Sequence, residues 1–283
     1  MLFIYATDLH GIEKKYNDIL NYALDNKIKL IHLGSDFLPK GYDILGIQKK
    51  FINKFLKKYY EKATQNGIKI LVFFGNDDIY SRKKYFRKFG SLLDENPEEI
   101  EGVLFKAYPY VCDYPFSLKT ACKLDYRGWE RPFCKKGVDF SEEGFVEIND
   151  IDDYFSKKTT IEEDLQKEIV THPCTVYAIH MPPSNLGLDV CGKLLRDRTY
   201  DSLNPVGSDS IYKWIEKEQP LLTLHGHIHE SYSITGVWKK QLGKTLVVQP
   251  GQIYPNTYIP EPKTSFVLFE INKHIVSSTL VEI

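Results

Sequence analysis

Four short segments of this chain combine carboxylate, amide and imidazole groups, and each follows an apolar run typical of a buried strand. The segments are Asp8-Leu9-His10, Gly75-Asn76-Asp77-Asp78, Ala178-Ile179-His180-Met181-Pro182-Pro183 and His225-Gly226-His227-Ile228-His229. A fifth apolar run ends at Asp36. Because open sheets bind ligands where strands reach their carboxyl ends, these groups are expected to meet in one crevice. Mixed oxygen and nitrogen donors suit Mn, Fe or Zn.

Composition restricts the classes of protein to which the chain can belong. Its 283 residues suffice for one large α/β domain, and 37 basic against 38 acidic residues create no overall field for nucleic acid or anionic membranes. Five cysteines, an odd number without a C-x-x-C pair, favour a reduced compartment over a disulfide framework. The apolar N-terminus is too short for a signal peptide, and no stretch is long enough to span a bilayer. We therefore expect a cytoplasmic protein with no membrane partner.

Strands and amphipathic helices alternate in the first part of the chain. Apolar residues at helical spacing predict one helix over residues 12–25 and a second over residues 47–59 that stops near Asn66-Gly67. This β-α-β-α-β order implies parallel strands with right-handed crossovers. The final part, residues 232–283, is rich in short β-prone runs, and the last two runs predict an antiparallel hairpin around Asn272-Lys273. Two packed sheets with outer helices in a single domain, residues 1–283, follow from this pattern.

The periodic pattern weakens between Ala107 and Val170. Two aromatic-proline turns lie here, and Thr160 with Glu163 forms a capping box that predicts the start of a helix. We interpret 107–160 as a loop or lid insertion over the site, because long insertions often act as lids or specificity loops. The alternative is that 107–160 is a solvent-exposed segment without a functional role.

The order of these motifs carries a family resemblance. A D-x-H segment, an aspartate ending a second strand, G-N-x-D, an isolated histidine and G-H-x-H resemble the calcineurin-like metallophosphoesterase superfamily, in a prokaryotic-type branch with a G-N-D-D third motif. The resemblance spans Asp8 to His229. It implies a four-layer α-β-β-α sandwich of two mixed β-sheets flanked by helices, with two divalent metal ions, Mn, Fe or Zn. It also implies a ligand set. Asp8, His10 and His229 would hold one metal, and Asn76, His180 and His227 would hold the other. Asp36 would bridge both.

Two positions depart from the superfamily pattern. Ser35 stands between Gly34 and Asp36 where the second motif usually reads Gly-Asp. Asp77 occupies the place of the histidine that protonates the leaving group in the family, and we treat it as the candidate catalytic residue. An aspartate with an ordinary pKa near ~3.9 is a poor acid at neutral pH. A neighbouring carboxylate would raise that pKa and two metal cations would lower it, so the sign of the shift stays open.

Each of these residues also has a simpler interpretation. Asp8 and Asp36 suit helix N-caps, and His180 beside two prolines suits a loop histidine. The combination with His227 and His229 favours the metal-ligand interpretation. Asp78 and His225 are predicted to support the ligands from behind, with Asp78 fixing an imidazole tautomer.

The resemblance predicts a metal-dependent phosphoric ester hydrolase in which a hydroxide shared by two metals attacks a phosphomonoester or phosphodiester. Two alternatives remain open: a catalytically silent metal-binding scaffold of the same fold, and a dinuclear hydrolase of another ester or of an amide. The expected partner is a phosphate-ester substrate. Nucleic acid is a less favoured substrate because no basic stripe accompanies the motifs.

Overall fold

The computed structural model describes residues 1–132, 134, 136–141, 144–195, 200–252 and 263–283. Its strands are, in order, β1 Leu2–Ala6, β2 Leu30–Leu33, β3 Lys69–Leu71, β4 Glu98–Ile100, β5 Val103–Tyr108, β6 Val111–Cys112, β7 Cys122–Lys123, β8 Gly137–Ser141, β9 Gly144–Ile148, β10 Thr175–Ile179, β11 Val190–Leu194, β12 Tyr200–Pro205, β13 Leu222–Leu224, β14 Lys239–Leu242, β15 Thr245–Val248, β16 Ser265–Asn272 and β17 Ile275–Glu282. Its α-helices are α1 Glu13–Asp25, α2 Ile44–Phe51, α3 Lys57–Gln65, α4 Lys83–Phe86, α5 Ile151–Ser156, α6 Ile161–Leu165, α7 Asp209–Glu218 and α8 Ser231–Thr235.

The first sheet joins both ends of the chain. Its order is β17-β16-β1-β2-β3, in which β1, β2 and β3 are parallel while β16 and β17 are antiparallel neighbours. The predicted β-α-β-α-β beginning and the predicted terminal hairpin are therefore both confirmed. The strand expected up to residue 74 is shorter, since β3 ends at Leu71.

The second sheet has six strands in the order β14-β15-β13-β10-β5-β4. The four central strands run parallel, and antiparallel strands form the two edges. Both sheets are thus mixed, and their parallel strands bring several carboxyl ends to one side. Short two-stranded sheets, β6-β7, β8-β9 and β11-β12, lie outside them.

The two sheets pack face to face beneath outer helices. Along β1, Phe3 and Tyr5 enter the core between the sheets, while Ile4 and Ala6 enter a core shared with α1, α2 and α3. This alternation follows from the two-residue period of a strand. The same rule sends the side chain of Tyr177 in β10 toward α5, α6 and α7 on the far side. The predicted four-layer α-β-β-α sandwich is confirmed.

Two other predicted segments differ in detail. The helix predicted from residue 47 is interrupted by a π-helical turn, Ile52–Leu56, which separates α2 from α3. The inserted segment predicted from about residue 107 begins after β5, because β5 is a central strand that runs to Tyr108. Within the described ranges, no helix combines the length and the apolar composition needed to cross a membrane.

Candidate metal centre

The loops that follow five parallel strands meet at one edge of the sandwich. The first sheet supplies the loops after β1, β2 and β3, and the second sheet supplies those after β10 and β13. All seven predicted ligands lie on these loops: Asp8, His10, Asp36, Asn76, His180, His227 and His229. Since the loops come from both sheets, the predicted site spans the interface between the layers.

The structure brings six of these side chains into two groups. In the first, the Nε2 atom of His229 lies 3.3 Å from Nε2 of His10 and 3.4 Å from Oδ1 of Asp8. In the second, Asp36 lies with His180 and His227, and in each group the donor atoms lie within 4.8 Å of one another. Both arrangements are compact enough for a common cation.

Asn76 and Asp36 connect the second group to the rest of the site. Oδ1 of Asn76 lies 2.9 Å from Nε2 of His180, which places the amide oxygen beside the imidazole donor. Oδ2 of Asp36 lies 3.3 Å from Nε2 of His180 and 4.0 Å from Nε2 of His10. One carboxylate oxygen therefore faces both groups, as a bridging ligand must.

The backbone of four predicted ligands is left-handed. The φ angles are 54° at Asp8, 43° at His10, 50° at Asp36 and 69° at His227. Such angles are uncommon outside glycine and, for aspartate and histidine, concentrate at turns and functional sites. They turn each side chain sharply out of the strand direction and into the crevice.

Hydrogen bonds and two glycines hold the carboxylates in place. The His227 N–H donates to both oxygens of Asp8, at 3.1 Å each, and the Asp77 N–H donates to Oδ1 of Asp36 at 2.8 Å. A Cβ atom at Gly226 would lie 2.3 Å from Oδ2 of Asp8, and a Cβ atom at Gly75 would lie 2.3 Å from Oδ1 of Asp36. The glycine of each motif is needed because a carboxylate packs against its backbone.

The pKa shifts of Asp8 and His227 favour the forms that bind cations. Burial raises the pKa of Asp8, but the hydrogen bond and charge of His229 outweigh it and hold the pKa at about 2. Burial lowers the pKa of His227 to about 3, which leaves the neutral imidazole that metals bind. Burial would also lower the pKa of His180, yet Asp36 raises it above its ordinary value. The carboxylates concentrate negative charge that a divalent cation would balance.

Asp77 is partly exposed beside His10 and Asp36. Its ion-pair partner, Lys40, was not suggested by the sequence. The Lys40 ammonium lies 2.5 Å from Oδ2 of Asp77, and Nδ2 of Asn76 lies 3.2 Å from its Oδ1. Burial and the charge of Asp36 raise the pKa of Asp77, while Lys40 opposes them and the net direction is upward. Burial lowers the pKa of Lys40, but Asp77 and Asp36 raise it above its ordinary value. In the sequence, the only hint of Lys40 is its place in the loop after Asp36.

Asp78 holds two loops of the site together. Its carboxylate accepts hydrogen bonds from the backbone N–H groups of Leu38 at 2.8 Å and Gly75 at 2.9 Å, which ties the second motif to the third. A contact of Asp78 with an imidazole is not among the hydrogen bonds described, and its role in fixing a histidine tautomer stays a prediction. The hydroxyl of Ser35, the residue that departs from the family pattern, lies 2.5 Å from Nδ1 of His180.

His225 is buried behind the site. Its Nδ1 lies 2.9 Å from the carbonyl oxygen of Met181, and its Nε2 lies 2.9 Å from Oγ1 of Thr223. Both contacts secure the loop after β10, which carries His180. That His225 supports the ligands without being one stays a prediction.

The donor set fits divalent metals. Two ionised carboxylates, four imidazoles and one amide oxygen converge in a buried, polar pocket, which is the chemistry expected for Mn, Fe or Zn. Outside the predicted set, Phe116 of the insertion packs its ring against His227 with centroids 6.0 Å apart, a contact that no local pattern in the chain indicates.

Comparisons with known proteins agree with this geometry. A model of the calcineurin-like phosphoesterase family matches residues 1–231. The crystal structure of TT1561 of Thermus thermophilus is similar with a TM-score of 0.55 and 14% identity, covering 98% of this chain and 97% of that one. A dimetal phosphatase from Danio rerio, LOC 393393, is similar with a TM-score of 0.53 and 9% identity, covering 100% and 98%. At such identities these structures show the fold alone. No curated protein sequence matches the chain.

Proposed function

Because this chain belongs to the calcineurin-like phosphoesterase family, we propose that it is a dinuclear, metal-dependent hydrolase of phosphate esters. The proposed ligands of one metal are Asp8, His10 and His229, those of the other are Asn76, His180 and His227, and Asp36 bridges them. The presence of all seven proposed ligands supports this proposal over a catalytically silent scaffold, and the family match supports it over a hydrolase of other esters or amides.

The position of Asp36 is the observation that carries the proposal. Its Oδ2 atom lies between Nε2 of His180 and Nε2 of His10, each of which belongs to a different group of donors. A site for one metal would need no shared oxygen, whereas a carboxylate placed this way could serve a cation in each group of donors.

The proposed ligands and Asp77 have different roles in the proposed reaction. When bound, two divalent cations supply Lewis acidity and an activated water at neutral pH. Asp8 and Asp36 supply negative charge, the imidazoles bind as neutral donors, and the neutral amide of Asn76 leaves its cation strongly electrophilic. At the open edge, Asp77 stands where relatives carry a proton-donating histidine, so we propose that substrates with stable leaving groups react fastest.

We further propose that the chain is a single domain whose segment between β5 and α6 covers the site. The Phe116 ring lies against His227, and Asp125 accepts hydrogen bonds from the Ser208 hydroxyl at 2.5 Å and the Asp209 N–H at 3.0 Å. These contacts tie the inserted segment to the start of α7 and to the site at once. A shape-selective cover over the substrate would result.

Metal analysis combined with two model substrates tests the proposed function. Purified protein is expected to retain two divalent ions per chain and to hydrolyse p-nitrophenyl phosphate or bis-p-nitrophenyl phosphate, with Mn²⁺, Fe²⁺ and Zn²⁺ compared. Chelation should abolish the activity, and restoring the ion should return it. Stoichiometric metal without hydrolysis of any phosphate ester would contradict the proposal and favour the scaffold.

A further inference from the structure

Lys40 and Asp77 form an ion pair at the entrance of the metal centre. The ammonium lies 2.5 Å from Oδ2 of Asp77, and the two side chains are 46% and 25% exposed. Asp77 also lies within 4.8 Å of donor atoms of His10 and Asp36, so the pair borders the proposed metals on one side and solvent on the other. A substrate phosphate bound at the proposed metals would therefore lie near the pair.

Gln48 holds the two loops that carry this pair. Its buried side chain in α2 donates to the carbonyl oxygen of Pro39 at 3.3 Å and to that of Asp77 at 2.8 Å, and it accepts from the Ile79 N–H at 3.0 Å. The residue before Lys40 and the backbone of Asp77 are therefore fixed by the same amide. The two loops that carry the ion pair are thus held in a fixed relative position by Gln48.

The position of Asp77 raises an electrostatic difficulty for a phosphate-binding site. A carboxylate at the substrate entrance repels an anionic ester, and the repulsion doubles when the charge of the ester doubles. Phosphomonoesters carry close to two negative charges near neutral pH, whereas phosphodiesters carry one. An unpaired Asp77 would therefore discriminate most strongly against monoesters.

We propose that Lys40 neutralises Asp77 and offers its ammonium to the phosphoryl oxygens, so that the pair makes the centre selective for phosphomonoesters. This inference rests on the proposed phosphoesterase function and names its substrate class. The ammonium has three donor hydrogens, so it can contact Asp77 and a phosphate oxygen together. Diesters need the pair less because their single charge is balanced by the metals.

Substitution of Lys40 tests the inference directly. For Lys40→Gln, kcat/KM on p-nitrophenyl phosphate is expected to fall at least tenfold, mainly through KM, while kcat/KM on bis-p-nitrophenyl phosphate changes less than threefold. The double variant Lys40→Gln/Asp77→Asn removes the repulsion of the unpaired carboxylate but still lacks the ammonium, so it should recover only part of the loss. Lys14→Gln is the matched control, because Lys14 pairs with Asp18 on the surface of α1. Equal losses on both substrates, or no recovery in the double variant, would overturn the inference.

Anion binding provides a readout that does not need turnover. Titration of inorganic phosphate and of dimethyl phosphate into the metal-loaded protein compares a doubly and a singly charged ligand. Lys40→Gln should weaken phosphate binding at least tenfold and dimethyl phosphate binding less than threefold, with metal content unchanged. If the protein hydrolyses no ester, the proposed function fails, yet this titration still decides the role of Lys40. Unchanged phosphate affinity would reject that role.

Discussion

The Ser35 hydroxyl lies 2.5 Å from Nδ1 of His180, although 145 residues separate them along the chain. The opposite ring nitrogen, Nε2, faces Asn76 and Asp36. If the Nδ1–H donates a hydrogen bond to this hydroxyl, the Nε2 lone pair is left for a cation, as with the hydrogen-bond acceptors beside other metal-binding histidines. We therefore expect the serine that interrupts the family motif to favour this tautomer of a proposed ligand.

Removing this hydroxyl should weaken one metal site more than the other. For Ser35→Ala, we expect a 10- to 100-fold loss of affinity for the ion bound by His180, and little change for the ion bound by Asp8. Calorimetric titration of the metal-free protein with Mn²⁺ resolves the two events. Ser91→Ala is the control, since that exposed serine bonds to Glu98 away from the site. Two equally weakened sites would contradict the expected role.

Substitutions of Asp36 and His225 should have opposite effects on metal content and activity. Asp36→Ala removes the shared ligand and is expected to abolish activity and both stoichiometric ions. His225→Ala should retain two ions and most activity, but lose about 1–3 kcal/mol of stability because Met181 and Thr223 lose their buried hydrogen-bond partner. Metal analysis and denaturant unfolding of the two variants measure these effects. If the His225 change removes metal and the Asp36 change does not, the assignment of ligands is wrong.

Asp77 is expected to contribute little to protonation of the leaving group. Burial and the charge of Asp36 raise its pKa, but the ion pair with Lys40 stabilises the ionised carboxylate, and that form donates no proton. Asp77→Asn should therefore cost less than tenfold on p-nitrophenyl phosphate, under about 1.4 kcal/mol of transition-state stabilisation. The loss on an alkyl phosphate ester should be similar. A loss roughly a hundredfold to ten-thousandfold greater on the alkyl ester would identify Asp77 as the general acid.

His32 should make the fold sensitive to acid. It is fully buried between the sheets beside Tyr5, Phe73 and Phe105, and burial lowers its pKa to about 3. As the pH falls, His32 binds a proton near pH ~6.5 in the unfolded chain but only near pH 3 in the folded chain. The stability that the neutral His32 contributes is therefore complete above pH ~6.5 and is lost as the pH falls toward 3. The free energy of unfolding should drop by about 2 kcal/mol between pH 8 and pH 5 from this residue.

Denaturant unfolding of His32→Leu at several pH values measures that contribution. The leucine binds no proton, so the variant should show a shallower loss of stability below pH 6.5 than the unsubstituted protein. Metal-free protein is used for both, because metal ligands titrate in the same range. Identical pH profiles would show that His32 does not titrate in the unfolding equilibrium.

Local sequence patterns predicted the sheets and the meeting of the ligands, because alternation and strand-end motifs are properties of consecutive residues. They did not predict the side-chain partners of Asp77 and His180, which come from other loops. Lys40 follows Asp36 in an irregular turn, and Ser35 meets His180 only after the sheets pack. Likewise, the π-helical turn Ile52–Leu56 is short and lies between two helices, and the spacing of apolar residues in this region did not reveal it.

Each group of donors takes residues from both sheets, and His10 and His229 are 219 positions apart. A contact of such sequence separation has a larger loop-closure cost than a local one, and contacts of this kind slow folding. Metal capture should accordingly be a late event in folding, and partly folded chains should compete poorly for the ion. Bound metal would then act as a clamp between the layers, so that separating the sheets requires release of the ion.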